Sequence, residues 1–103
     1  MPSSYGWVVT RDHVNDDKGR VGTFGPRDIP ADIHAALKSE KPGKFGKIHK
    51  WKTWDSDKNP IYSGLFIGDA DSEEGFAPLE DFAGPDAGAT DISYWENGRW
   101  APL

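Results

Sequence analysis

The chain has no cysteine among its 103 residues and only one methionine. Disulfides, thiolate nucleophiles and zinc sites built on thiolates are therefore excluded. No apolar run reaches the roughly 18 residues of a membrane span, and the N-terminal residues Met-Pro-Ser-Ser-Tyr lack the apolar core of a signal peptide. The absence of cysteine is compatible with a reducing compartment. We therefore expect a cytoplasmic protein that does not act on a membrane.

Apolar side chains are also scarce, at 36% of the residues, although 13% are aromatic. A net charge of −5 is too small, and the aromatic content too high, for a chain that stays disordered. A chain of this length suits one small core, because domains usually contain about 100–150 residues. The composition therefore predicts a single domain over residues 1–103.

Cations are almost missing from the second part of the chain. Residues 59–103 hold Arg99 against nine carboxylates, whereas residues 1–58 hold eleven cations against eight carboxylates. The densest basic run, residues 41–52, alternates lysines with aromatic rings and is followed by Trp54. Such a run occurs on nucleic-acid-binding surfaces and also on edge strands, where lysines oppose aggregation.

The first half predicts strands around one helix. Residues 5–10 are rich in β-branched and aromatic side chains and predict a strand. Pro30 suits the first position of a helix, and Pro-Gly at residues 42–43 stops it, so we expect a helix over residues 30–39. The apolar face of that helix contains Ile33, Ala36 and Leu37.

Residues 45–67 predict a β-hairpin, with turn-forming residues at 55–60. Side chains alternate between the two faces of a strand. In the first strand one face holds Phe45, Lys47, His49, Trp51 and Thr53, and the other holds Ile48, Lys50, Lys52 and Trp54. In the second strand Ile61, Leu65 and Ile67 form an aliphatic face, opposite Tyr62 and Phe66.

The aliphatic face is the expected seat of the helix. The aromatic face needs another cover, and residues 75–82 supply apolar side chains for it at Phe76, Leu79 and Phe82. Asn97-Gly98 then predicts a two-residue turn that places Trp95 opposite Trp100. The fold class is therefore α+β: a small antiparallel sheet of about four or five strands, with one short helix packed on one face and long polar loops.

No motif in the chain predicts catalysis or a cofactor. Asp55-x-Asp57-x-Asn59 begins like a calcium loop, but Pro60 stands where the loop requires glycine, and Phe66 where it requires a bidentate glutamate. The three histidines lie on separate predicted elements, and neither a nucleophile elbow nor a phosphate-binding loop is present. We predict a protein that is not an enzyme and holds neither a cofactor nor a metal.

Two alternative binding functions stay open. A single-stranded nucleic acid would use the basic hairpin at residues 44–54, through Lys47, Lys50, Trp51, Lys52 and Trp54. Alternatively, the acidic half would imitate the charge of DNA and inhibit a nucleic-acid-binding protein. A third interpretation is that the acidic segment neutralises the basic strand within the molecule.

Four segments carry a resemblance to a group of proteins. In chain order they are Tyr5-Gly-Trp-Val-Val, Gly25-Pro-Arg-Asp-Ile, the run from Phe76 to Gly88, and Ile92-Ser-Tyr-Trp-Glu-Asn-Gly-Arg-Trp. The chain thereby resembles small uncharacterised proteins of actinobacteria and their bacteriophages. The resemblance implies no catalytic residues. It implies an accessory role, because small phage proteins of this kind commonly bind host proteins.

The sequence therefore predicts a non-enzymatic protein-binding module, encoded by a phage or mobile element, that modulates a host factor. Its partner is expected to be another protein, bound through aromatic and acidic side chains, because interface anchors are enriched in Trp, Tyr and Arg. The predicted contact residues are Trp54, Tyr62, Trp95, Arg99 and Trp100, with the acidic residues Asp69, Asp71, Glu73 and Glu74.

Overall fold

The described residues form a six-stranded sheet in which every strand pairs antiparallel with its neighbours. A computed structural model describes residues 5–14, 19, 21–41, 43–45, 47–68 and 73–102. The strands lie in the order β2-β1-β4-β3-β5-β6. Their bounds are β1 Gly6–Asp12, β2 Phe24–Gly25, β3 His49–Trp54, β4 Pro60–Ile67, β5 Asp91–Glu96 and β6 Arg99–Pro102.

The α+β class and the antiparallel sheet are confirmed, but the number of elements is larger than predicted. The additional strand is β2, which pairs only two residues with β1 and is too short to produce an alternating pattern. The described part of the chain contains two α-helices, α1 at Ala31–Ser39 and α2 at Gly84–Ala87. The second follows a 3-10 turn at Glu73–Phe76 and a π-helical stretch at Pro78–Ala83.

Helix α1 covers the aliphatic face, as predicted. It packs on β1 and β4, where Ile33 and Leu37 are buried against Val8, Leu65 and Ile67. The helix ends at Ser39 because the next residue adopts a left-handed conformation, with a φ of 58°. The main contacts of α1 are with β1 and β4, and they do not extend to the part of this face that β3, β5 and β6 form.

The opposite face holds the aromatic core, and residues 73–87 cover it. We call these residues the covering segment. Phe82 lies against two core rings, with centroids 5.2 Å from Trp7 and 5.0 Å from Tyr62. The hydroxyl of Tyr94 donates a hydrogen bond to the carbonyl of Gly75 at 2.7 Å. The prediction that residues 75–82 fold over the aromatic face is therefore confirmed.

Two side chains lie on a face other than the predicted one. Ile61 was expected beside Leu65, but it is buried in the aromatic core. The pairing register shifts here, so that Ile61 and Tyr62 both lie opposite Thr53, and the extra residue changes the alternation. Phe45 belongs to a 3-10 turn instead of β3, and it packs on the helix side of the sheet.

Among the helices of the described part of the chain, none is both long and apolar enough to cross a membrane.

Candidate partner-binding surface

The half of the sheet that α1 leaves open carries lysine and tryptophan side chains. Lys50 pairs with Leu65, which lies under the helix, so Lys50 points to the helix-bearing face. Because alternate residues share a face, Lys52 and Trp54 point the same way. Lys50 is exposed, and Lys52 and Trp54 are each half-buried. This part of the predicted alternation in β3 is confirmed.

The last hairpin adds two further rings to the same face. Ser93 of β5 pairs with Lys52, so Ser93 and Trp95 share the face of Lys52. Trp95 then pairs with Trp100 of β6, as the Asn97-Gly98 turn predicts. The two rings meet edge to face, with centroids 5.3 Å apart and planes inclined by 72°. Trp95 is 41% exposed, which is unusual for so large an apolar side chain.

Lys52 joins the two groups of rings. Its ammonium nitrogen lies 4.8 Å from the ring centroid of Trp54 and 5.4 Å from that of Trp100. Both distances are within the range of cation–π attraction, which is worth roughly 0.5–1 kcal/mol at exposed sites. Lys52 thus contacts one ring from β3 and one from β6, two strands that are not adjacent in the sheet. We call Lys50, Lys52, Trp54, Trp95 and Trp100 the Trp/Lys surface.

Two cations of the described strands β3, β5 and β6 stand on this face, Lys50 and Lys52. The one carboxylate that these described strands place on it is Asp91, which pairs with Trp54 and accepts from Lys58 at 3.3 Å. Lys58 itself lies in the turn before β4, together with Asp55 and Asp57. The positive charge of the Trp/Lys surface is therefore confined to Lys50 and Lys52, in a chain with a net charge of −5.

The structure removes two predicted contact residues from the surface. Trp51 is completely buried, and its indole N–H donates to the carbonyl of Leu65 at 3.0 Å. A ring in that position has no face for a nucleobase. Tyr62 is 2% exposed, and its hydroxyl donates to Asp86. Both residues belong to the core because β3 and β4 are the central strands, covered on the aromatic side.

Arg99 and Lys47 lie outside the Trp/Lys surface. Arg99 pairs with Glu96 beside the two-residue turn, and it alternates with Trp100. Its side chain is exposed but on the opposite face of the sheet. Lys47 is exposed just before β3 begins. The predicted set of contact residues is thus divided between the two faces.

The predicted acidic contacts are only partly described. Asp69 and Asp71 lie outside the described residues, as does the side chain of Glu73. Glu74 lines a notch of about 310 Å³ together with Tyr5, Ala77, Glu80 and Asp81. Partial burial, followed by the charges of Asp81, Glu74 and Asp28, raises the pKa of Tyr5. The acidic DNA-mimic alternative stays a prediction.

A polar cavity of about 770 Å³ lies at the opposite end of β4 from the notch. Its walls include His13, Tyr62 and Asp86. The Nε2 atom of His13 lies 2.8 Å from the hydroxyl of Ser63. A serine beside a histidine is one part of a nucleophilic site, but this pair alone does not define a catalytic centre. The prediction that the chain is not an enzyme stays a prediction.

The described residues include no group of three or more His, Asp or Glu side chains arranged to hold a metal ion. Asp55 instead organises its own turn, where it accepts from the backbone N–H groups of Asp57 and Asn59 at 2.9 Å. These hydrogen bonds, chiefly the one from Asn59, lower the pKa of Asp55. The calcium-like spacing at residues 55–59 therefore serves a turn.

The chain was compared with protein-family models, curated proteins and solved structures, and none of the three comparisons produced a match.

Proposed function

We propose that this chain is a non-enzymatic protein-binding module of the cytoplasm that recognises an acidic partner through the Trp/Lys surface. The observation that carries the proposal is that three tryptophans and two lysines share the part of the sheet face that lies beyond the main contacts of α1 with β1 and β4 in the described part of the chain. Tryptophan is the residue most typical of interface hot spots, and the ammonium groups of Lys50 and Lys52 are complementary to a partner with carboxylates. The resemblance to phage proteins makes a host protein the expected partner.

The geometry favours a protein over a single-stranded nucleic acid. A stacked base needs one free face of an aromatic ring. The ammonium of Lys52 lies over the rings of both Trp54 and Trp100, and Trp95 and Trp100 meet edge to face. Apolar anchors of a protein pack against ring edges as well as faces.

The test is crosslinking at a defined position. A photoreactive benzoylphenylalanine replaces Trp95, and in a matched variant it replaces Arg99 on the opposite face. Irradiation in cells that encode the protein, followed by mass spectrometry, is expected to yield one protein from position 95 and to yield it less from position 99. The Lys52→Ala variant should lose that product. Equal yields from both positions would contradict the proposal.

Single-stranded nucleic acid is the second candidate, because exposed Lys50 and Trp95 share the surface. Stacking contributes roughly 1–3 kcal/mol for each base, and affinity falls steeply with salt. Titration with a 12-nucleotide thymidine oligomer at low salt should then quench tryptophan fluorescence. Absence of quenching under these conditions would eliminate the candidate.

A further inference from the structure

Ser93 lies among the members of the Trp/Lys surface. It belongs to β5, where it pairs with Lys52 of β3 on one side and with Pro102 of β6 on the other. Trp95 follows two residues later and points to the same face. The Ser93 side chain is only 8% exposed, although the residues around it form a surface. Ser93 is therefore a buried polar group beneath the rings and lysines that are proposed to meet the partner.

The hydroxyl of Ser93 forms no hydrogen bond within the described part of the chain. Buried hydroxyl groups normally have a partner, because a group without one loses its hydration and gains nothing in return. Ser63 also pairs with Lys52, from the β4 side, and its hydroxyl has such a partner: Nε2 of His13 lies 2.8 Å away. Of the two serines beside Lys52, the one that lies among the tryptophans is thus the one with an unused donor.

The ammonium of Lys52 supplies further donors above the same strand. It lies near a ring of β3, that of Trp54, and near a ring of β6, that of Trp100. Because β5 separates these two strands, the Lys52 side chain extends across β5 in the row that Ser93 occupies. Its ammonium forms no ion pair or hydrogen bond with the residues that the structure describes, and Asp91 of the same face pairs with Lys58 instead. The N–H groups of Lys52 thus remain available to a ligand.

We propose that Ser93 and Lys52 form a carboxylate-binding site on the Trp/Lys surface, which holds one acidic side chain of the partner. The inference rests on the proposed function and specifies the chemical group that the surface recognises. One carboxylate oxygen accepts from the hydroxyl of Ser93 and the other accepts from the ammonium of Lys52, so both oxygens are used. A phosphate group has more oxygens than these two side chains reach, which makes the carboxylate the better match.

Four probes test the chemistry at constant ionic strength: acetyl-Gly-Glu-Gly-amide, its neutral isostere acetyl-Gly-Gln-Gly-amide, acetyl-Gly-Gln-Gly with a free terminal carboxylate, and inorganic phosphate. Two-dimensional NMR of the ¹⁵N-labelled protein follows the backbone N–H of Ser93 and the indole N–H groups of Trp54 and Trp100. The glutamate peptide should shift these signals and bind about tenfold or more tightly than the neutral peptide. Equal binding of the neutral peptide or of phosphate would overturn the carboxylate site, and tighter binding of the free terminus would overturn its assignment to a side chain.

Two matched pairs of variants locate the site. Ser93→Ala removes the unused hydroxyl, and its control Ser63→Ala removes the serine on the other side of Lys52. Lys52→Met keeps the apolar stem without the charge, and its control Lys50→Met does the same two residues away on the same face. Ser93→Ala and Lys52→Met should each weaken binding of the glutamate peptide about tenfold, the loss expected for one hydrogen bond to a charged group, and each control should weaken it less than about threefold. An unchanged indole signal of buried Trp51 shows that each variant is folded.

The outcomes separate this inference from the proposed function. If Ser93→Ala binds the glutamate peptide as tightly as the native protein does, while position 95 still crosslinks one protein more strongly than position 99, the carboxylate site is overturned and the surface proposal survives. If the glutamate peptide binds as expected but positions 95 and 99 crosslink equally, the proposed function is overturned and the carboxylate site survives.

Discussion

Replacing Tyr94 by phenylalanine is expected to loosen the covering segment from the aromatic face. The Tyr94 ring is 2% exposed and packs edge to face on Phe66, with centroids 5.7 Å apart. Its hydroxyl donates to the carbonyl of Gly75 at 2.7 Å. Phenylalanine keeps the ring and its contacts. The substitution therefore removes one buried hydrogen bond and leaves the Gly75 carbonyl without this donor.

The expected cost is about 1–3 kcal/mol, the range for a buried polar group left without its partner. Tyr62→Phe is the matched control, because it also removes a hydroxyl from a buried ring. Its acceptor is the carboxylate of Asp86, an exposed residue that water can solvate after the substitution. We expect this control to leave hydrogen exchange at residues 73–76 no faster than its own global stability loss explains, because its lost bond lies outside that turn.

Urea unfolding monitored by tryptophan fluorescence measures both costs. Hydrogen exchange at residues 73–76 should rise more in Tyr94→Phe than the global stability loss explains, because the lost contact is local to that turn. A loss below about 0.5 kcal/mol in Tyr94→Phe, or an equal rise in hydrogen exchange at residues 73–76 in the two variants, would refute the reasoning.

Alkaline titration provides an independent reading of the same hydroxyl. Burial raises the pKa of Tyr94. Because the pKa of Tyr94 is higher in the folded state, its protonated hydroxyl contributes fully to the stability of the protein below the unfolded-state pKa, near 10. That contribution is lost as pH rises above this value. The native protein should therefore lose stability above about pH 10 more steeply than Tyr94→Phe does. Parallel pH profiles of the two proteins would contradict the assignment.

Three further substitutions test the sheet, the residue that follows α2 and the turn at residues 55–60. Gly64→Ala places a Cβ against the carbonyl of Val8 and 2.6 Å from the Trp51 ring. We expect its free energy of unfolding, measured in urea, to fall by about 3 kcal/mol or more. In the control Gly88→Ala the Cβ meets nothing within 4 Å, so this variant should lose only the strain of its positive φ, about 1–2 kcal/mol. Asp55→Ala should destabilise the protein at neutral pH. The difference from the native protein should shrink as pH falls below about 4, because the pKa of Asp55 is lowered in the folded state; a difference as large at pH 2 as at neutral pH would contradict this.

The elements with strong local signals were predictable from the sequence. The Asn97-Gly98 turn has positive φ values of 51° and 81° and sets the register that pairs Trp95 with Trp100. The helix begins one residue after Pro30, close to the predicted start. These features depend on a few neighbouring residues, so sequence patterns identify them.

Features that depend on tertiary packing were not predictable. Strand β2 exists because Phe24 and Gly25 lie against β1, and two residues carry no periodicity. Ile61 lies in the aromatic core instead of on the predicted aliphatic face, because the pairing register of β3 and β4 shifts opposite Thr53. Helical structure at residues 78–87 follows Pro78, but its π-helical start does not match the spacing of an ordinary helix.

The candidate site was partly predictable for the same reason. Alternation along β3 separated Lys50, Lys52 and Trp54 from Trp51, and the structure keeps that separation. Which of the two faces is uncovered depends on the length of α1 and on the strands it reaches. That information is absent from the local pattern, so Trp51 was included with the nucleic-acid contacts and the position of Lys52 between two rings was missed.

Solvent accessibility of the five indole N–H groups, measured with and without the crosslinked partner, tests the central claim most directly. A soluble gadolinium chelate broadens the NMR signals of exposed groups. In the free protein it should broaden Trp95 most, and leave the buried Trp7 and Trp51 sharp. In the complex the Trp54, Trp95 and Trp100 signals should be protected. If they remain as accessible in the complex as in the free protein, while protection appears around Tyr5 and Glu74, the Trp/Lys surface is not the binding face.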